Sequence, residues 1–146
     1  MKSLNEALVA RKVEARYVTL LVMLWHPHSR LFSMANAGAA PPMVCRDGEI
    51  LKLRVEGVPL GLLPDREYEE VELQAKAGDL IVLYSDGVSD HLSPAGEEYG
   101  RKRLSDIVRA SSHLSSQAVI DAVFADLDRF NTEPFDDQTL VVLKVE

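Results

Sequence analysis

Apolar residues along this chain come mostly in short runs or at alternate positions, the period of a strand whose successive side chains point to opposite faces. Two β-rich runs, Arg16 to His26 and Arg30 to Asn36, flank Pro27, His28 and Ser29, and this predicts a hairpin. Asp47-Gly48 stands between two further short apolar runs. It predicts a second hairpin, because both residues tolerate positive φ. Tyr68 to Leu73 alternates as a strand should. Ala77, Gly78 and Asp79 turn the chain into Leu80 to Tyr84, and Thr139 to Val145 closes it as a last strand. Val58 to Pro64 is apolar, but Pro59, Gly61 and Pro64 interrupt it, so a buried loop is expected there.

Helical spacing occurs in three places. Ser3 and Glu6 have the form of a capping box, with Leu4, Ala7, Leu8 and Val13 behind them, and this predicts a helix over roughly residues 3 to 13. Leu104, Ile107 and Val108 mark a second helix ending at Ser111 and Ser112. A third follows Ser115 or Ser116, with Val119, Ile120, Val123, Phe124 and Leu127 on one face. Residues 87 to 99, rich in Gly, Ser, Pro and Glu, read as a loop. The order is a helix, a run of about seven strands, two helices and a strand. Bunched strands predict the α+β class, an antiparallel β-sandwich flanked by helices, with the final strand inserted among the earlier ones. Trp25, Phe32, Tyr84 and Cys45 are expected in the core.

A length of 146 residues fits one domain. The net charge of -7 and the scattered basic residues argue against a nucleic-acid partner. The one tight basic run, Arg101 to Arg103, reads as a solvated helix start. A single cysteine cannot form an internal disulfide, and no Cys/His spacing of the zinc type occurs, which fits a reducing cytoplasm. The longest apolar run, Tyr17 to Trp25, is broken by Thr19 and is short of the roughly 20 residues that span a bilayer, so no membrane partner is expected. His26 and His28 suit an exposed turn. His91, beside an acidic cluster, suits a loop more than proton transfer, and His113 has still less claim to a role.

The chemistry-bearing residues are carboxylates at complementary strand ends. Asp86 and Asp90 follow the Leu80–Tyr84 strand, and Asp136 and Asp137 precede the closing one. If those strands are antiparallel neighbours, the four side chains converge. Asp before Gly is also a routine turn, and an Asp pair before a strand is often only solubilising. Two such clusters at matching ends favour a site for a hard cation such as Mg²⁺ or Mn²⁺.

Five segments then carry a resemblance: MANAGAAPPMVCRDGE, GVPLGLLPDREYEE, AGDLIVLYSDGVSD, EEYGRKRL and FDDQTLVVLKV. In that order they resemble the Asn-Ala-Gly-His-x-Pro-Pro, Gly-x-Pro-Leu-Gly, Pro-Gly-Asp…Thr-Asp-Gly, Glu-x-Phe-Gly and Asp-Asp-x-Thr motifs of the metal-dependent protein serine/threonine phosphatases (the PPM family). The likeness is to the SpoIIE-like bacterial branch, which regulates sigma-factor partner switching. It covers nearly the whole chain, read as residues 1 to 146 of a partial domain.

The resemblance implies Asp86 and Asp136 as metal ligands and Asp137 as a catalytic residue that orients water or substrate. It also implies that Gly87 turns the chain without crowding the metal. Asp90 stands where the family usually has Glu, with a capping or loop role as open as metal contact. The implied reaction is metal-assisted hydrolysis of phosphoserine or phosphothreonine with Mn²⁺ or Mg²⁺. The implied substrate is a phosphoprotein resembling an anti-sigma-factor antagonist. Two departures stand out. Ala39 replaces the family His, and no Asp-x-x-Gly-His-Gly segment, which supplies the metal-bridging aspartate, occurs in these residues. By the resemblance about the first third of a catalytic domain, its N-terminal strands and helix, is not among them. Weak binding of a single ion, inactivity of the isolated chain and self-association through exposed sheet edges are therefore expected. The alternative is a phosphatase-like module that binds a partner without hydrolysing anything.

Overall fold

The structure, a computed structural model, describes residues 1–11, 17–134 and 136–146. The chain forms two compact units interleaved in sequence. Met1–Pro41 joins Arg54–Ala75 in the first, and Pro42–Leu53 joins Lys76–Glu146 in the second.

The first unit holds α1 (Lys2–Ala10) and an antiparallel sheet of β1 (Leu20–His26), β2 (Leu31–Ala37) and β5 (Glu70–Gln74), in the order β1-β2-β5. The expected hairpin around Pro27 forms, with His26 opposite Leu31. β2 is central and buries Phe32, Met34 and Ala37. Trp25, expected in the core, is 40% exposed and stacks on Phe32 with ring centroids 4.4 Å apart. Among the described residues β1 is an edge strand, so its side chains lack a neighbouring strand on one side. The positions Val13 and Arg16, expected to end the helix and begin the hairpin, lie outside the described residues.

The capping box does not form. The N-cap of α1 is Met1 and makes no side-chain cap, Leu4 is exposed, and the buried residue is Asn5. Asn5 donates to the Leu63 carbonyl at 3.0 Å and accepts from the Gly61 N–H at 2.8 Å. These bonds satisfy the backbone of the Pro/Gly-interrupted loop, expected to be buried; Leu60 is, but Leu62 and Leu63 are exposed. A buried amide that serves a loop's main chain outweighs an apolar stripe whose residues find no cover.

The second unit carries β3 (Met43–Arg46), β4 (Glu49–Ile50), β6 (Leu80–Tyr84) and β7 (Leu140–Lys144), ordered β4-β3-β6-β7 and antiparallel throughout. The Asp47-Gly48 turn has positive φ at both residues, 51° and 78°, as the β3–β4 hairpin requires. Leu80, Ile81 and Val82 are all fully buried, so both faces of β6 are covered, which explains its unbroken apolar run. β7 does not insert between earlier strands but lies at the edge, paired with β6 from Leu80↔Lys144 to Tyr84↔Leu140.

Helices α3 (Gly100–Ser111) and α4 (Ser116–Phe130) pack on each other, α3 against β3 and β4 and α4 against β7. Ser115 caps α4, its hydroxyl accepting from the Ala118 N–H at 3.3 Å. The basic run that opens α3 is solvated as expected, with Arg101 and Lys102 exposed, but two of its members are also paired with other elements. Arg103 forms a fork on the Asp126 carboxylate at 2.7 and 3.1 Å, and Arg101 donates to the Tyr84 hydroxyl at 3.0 Å. Six strands precede the two long helices among the described residues, and the class is α+β with antiparallel sheets and helices, as expected.

Candidate metal centre

The antiparallel register of β6 and β7 sets the geometry of the site. Tyr84 lies opposite Leu140, so the chain leaving β6 and the chain entering β7 run side by side. Ser85 ties them together. Its N–H donates to the Thr139 carbonyl at 3.0 Å, its hydroxyl donates to the Asp137 carbonyl at 3.0 Å, and that hydroxyl accepts from the Thr139 N–H at 2.9 Å.

Beyond Ser85 the expected loop begins with one helical turn, α2 (Asp86–Ser89). Gly87 is buried inside it, and any Cβ there would run into the Asp137 carbonyl oxygen, with the carbonyl carbon 2.9 Å away. The glycine is thus required by the close approach of the β7 lead-in. That is a different reason from keeping a metal uncrowded, and only a spatial neighbour reveals it.

Asp86, Gly87, Asp90, His91 and Asp136 line one pocket of about 70 Å³. Of the four sequence-predicted carboxylates it therefore gathers Asp86, Asp90 and Asp136, while Asp137 is not among the lining residues. Asp90 closes α2, its N–H donating to the Asp86 carbonyl at 2.7 Å, and its carboxylate accepts from the Ser89 hydroxyl at 2.8 Å. Asp86 and Asp136 each accept one local backbone bond, from Gly87 N–H at 3.0 Å and Asp137 N–H at 2.7 Å. Among the described residues none of these four carboxylates takes part in an ion pair.

Sequence reasoning set His91 aside as a loop residue, yet it is 1% exposed and forms part of the pocket wall. Its Nε2 bonds to the Asn131 carbonyl oxygen at 2.9 Å, while Nδ1 is buried with no partner. No periodicity signals this, since the partner lies forty positions away at the end of α4. The pocket wall holds carboxylates, Asp86 and Asp136, that have no cation partner among the described residues, and carboxylate oxygens are the donors that suit a hard divalent metal. As the side chains stand, no three His, Cys, Asp or Glu among the described residues are grouped closely enough to hold an ion.

The family model described as Stage II sporulation protein E (SpoIIE) matches residues 1–146. The chain belongs to the SpoIIE family. Among its relatives, Stage II sporulation protein E of Bacillus subtilis (strain 168) is 23% identical over all of this chain and 18% of that protein. Phosphoserine phosphatase RsbU of the same organism is 25% identical over 99% of this chain and 44% of that protein. The chain thus spans less than half the length of either. The manganese-presoaked phosphatase domain of the B. subtilis cell-fate determinant SpoIIE superposes with a TM-score of 0.76, at 21% identity, over 99% of this chain and 64% of that one. This SpoIIE-family chain therefore shares that fold. Among the described residues no helix is long and apolar enough to cross a membrane.

Proposed function

We propose that this chain carries the Asp86–Asp136 part of the divalent-metal centre of a protein phosphoserine/phosphothreonine phosphatase of the sigma-factor-regulating type. The observation behind the reading is the β6–β7 register, which joins two sequence-distant carboxylates in one pocket wall. Asp86 is held by the end of a buried strand and Asp136 by the lead-in that Ser85 clamps. Both keep carboxylate oxygen capacity for a hard cation, Mn²⁺ or Mg²⁺. When bound, such a cation supplies positive charge that polarises a phosphoryl group and lowers the pKa of water. Asp137, on the same lead-in, orients the nucleophile or substrate. The substrate is a phosphoprotein of the anti-sigma-factor-antagonist kind, and the compartment is the cytoplasm.

The 146 residues contain no Asp-x-x-Gly-His-Gly segment, so this length of chain holds one ion weakly and does not turn over substrate unaided. Its edge strands β1 and β7 expose Val22, Leu24, Val141 and Leu143. Unpaired strand edges with apolar side chains favour self-association. The experiment is a thermal melt with and without Mn²⁺. A ligand at ten times its Kd adds about 1.4 kcal/mol, roughly 3 to 5 °C here. That rise is expected for the natural sequence and not for Asp86→Asn. An unchanged midpoint removes the metal-centre reading and leaves the non-catalytic binding module. Steady turnover of a phosphoserine peptide, lost in Asp86→Asn, contradicts inactivity of the isolated chain, and a strictly monomeric species by light scattering contradicts self-association.

A further inference from the structure

Asp86 and Asp136 sit on two short segments of the second unit, and each segment is tied down at both ends. At the strand end the tie is Ser85, through its bonds to Asp137 and Thr139. At the far end it is Asn131, which follows α4 in extended backbone with φ -161° and ψ 133°. Asn131 gives each of its four polar groups a different partner. Its N–H donates to the Leu127 carbonyl at 2.9 Å and ends the helix. Its carbonyl accepts from His91 Nε2 at 2.9 Å, and Nε2 carries the proton because a carbonyl only accepts. Its side-chain Nδ2 donates to the Leu92 carbonyl at 2.8 Å, and Oδ1 accepts from the Glu133 N–H at 3.2 Å. One side chain thus holds the segment that follows Asp86, at Leu92, and the segment that leads to Asp136, at Glu133.

What Asn131 grips on the Asp86 side is itself closed. The Tyr99 N–H donates to the His91 carbonyl at 2.7 Å, Leu92 pairs with Glu98, and the Ser93 N–H donates to the Glu97 carbonyl at 2.8 Å. The Tyr99 and His91 rings both lie against Phe130, with centroids 5.4 and 6.0 Å away. Residues 91–99 therefore form a folded loop docked on the end of α4, and a bond to Leu92 is a bond to a fixed point.

The result is a ring of chain. It runs from Ser85 through Asp86 and α2 to Leu92, crosses to Asn131 by hydrogen bonds, and returns through Asp136 to Thr139 and Ser85. The two carboxylates lie on its two arcs, and each bonds to the N–H of the residue after it. The main chain that carries them therefore sets their separation. A cation held by two carboxylates needs them placed to within about 0.5 Å, which is the work of supporting groups outside the ligands. We propose that Asn131 is a positioning residue for the metal centre: by joining Leu92 to Glu133 it fixes the spacing of Asp86 and Asp136 and so sets the affinity for a divalent cation. The proposal rests on the metal-centre reading above and adds to it the second of two clamps.

The test uses the 146-residue chain, with Mn²⁺ affinity read by electron paramagnetic resonance. Asn131→Ser keeps an oxygen that accepts from the Glu133 N–H but is too short to reach Leu92. It should weaken Mn²⁺ binding about tenfold. Ser115→Ala removes the cap at the opposite end of α4 and is the control. It should lower Tm without changing Mn²⁺ affinity. In the metal-free chain the amide resonances of Gly87 and Asp137, the donors to the two carboxylates, should shift in Asn131→Ser and stay in place in Ser115→Ala. If the natural chain binds Mn²⁺ and Asn131→Ser binds it as tightly, the Asn131 inference alone is overturned. Equal weakening by Ser115→Ala, or Gly87 and Asp137 resonances that do not move in Asn131→Ser, overturns it as well, because lost helix stability then accounts for the change. No Mn²⁺ binding by the natural chain removes the metal-centre reading and this inference together. Should Asn131→Ser fail to fold, Asn131→Thr, whose β-branched side chain suits the extended backbone, carries the same comparison.

Discussion

The second unit holds two kinds of carboxylate, and they are treated oppositely. Asp79 is 1% exposed and accepts a two-pronged bond from Arg46 at 2.8 and 2.7 Å, with the Lys76 N–H at 2.8 Å. Asp126, 6% exposed, takes the Arg103 fork and the Tyr99 hydroxyl at 2.9 Å. Asp86 and Asp136 stand exposed in the pocket wall with no cation beside them. Buried carboxylates need a partner of their own to remain ionised. Pocket carboxylates that the fold leaves without one keep their charge for a ligand.

The sharpest way to break this contrast is to make the same Asp→Asn change in each class. Asp79→Asn leaves Arg46 facing a neutral amide and should cost about 3 kcal/mol, a fall of roughly 6 to 12 °C in Tm. Asp126→Asn should cost about 2 to 3 kcal/mol, less because Arg103 is 41% exposed and water screens part of the pair. Acid should erase both differences. Burial opposes ionisation of Asp79, but the Arg46 and Lys76 bonds outweigh it, and Arg103 first and Tyr99 after it stabilise ionised Asp126. Both carboxyls therefore lie below their ordinary value of 3.8 in the folded state. A depressed folded pKa gives stability that is fully present above the unfolded value and is lost as pH falls through the folded one. The Tm gap between the natural chain and either variant should stay constant at neutral pH and narrow below about pH 4. A gap that does not narrow at all as the pH falls below about 4 would assign the effect to packing instead.

These buried pairs mark where sequence reading ran short. The strand Leu80–Tyr84, the Asp47-Gly48 turn and the α4 face from Val119 to Leu127 were legible because each is a local pattern with one physical cause. The convergence of Asp86 with Asp136 was legible too, as carboxylates at complementary ends of strands that prove to be neighbours. Arg103 with Asp126, Asn5 with the Gly61–Leu63 loop, and His91 with Asn131 were not. Each joins polar residues 23 to 58 positions apart, and polar partners leave no periodic trace. Asn36 is a related case. It sits in a motif matched by resemblance, yet here it is buried and donates to the Ala39 and Val55 carbonyls at 3.0 and 2.9 Å.

Two changes between the classes sharpen the comparison further. Gly87→Ala pushes a methyl group into the Asp137 carbonyl, so the β7 lead-in must retreat. Overpacking of this kind costs about 2 kcal/mol, and it should also remove the Mn²⁺ response by displacing Asp136. Ser85→Ala deletes the hydroxyl that bridges Asp137 and Thr139 and should cost about 1 kcal/mol. Its Mn²⁺ response should be weakened but not lost, since the Ser85 N–H bond to Thr139 remains. A melt series with and without metal separates the two, and a full Mn²⁺ response in Gly87→Ala would detach Asp136 from the site.

The smallest expected change in stability is the most informative. Asp86 is exposed and unpaired, and its one local bond, from the Gly87 N–H, can be kept by an amide oxygen. Asp86→Asn should therefore leave metal-free stability within about 0.5 kcal/mol of the natural chain. If anything it should rise, because the change relieves repulsion from the neighbouring carboxylates. With millimolar Mn²⁺ the natural chain should gain its few degrees and the variant none. A large metal-free loss in Asp86→Asn would place Asp86 with Asp79 and Asp126, as a carboxylate the fold depends on. A neutral substitution that abolishes only the metal response would mark charge retained for a ligand, since no structural role predicts both results.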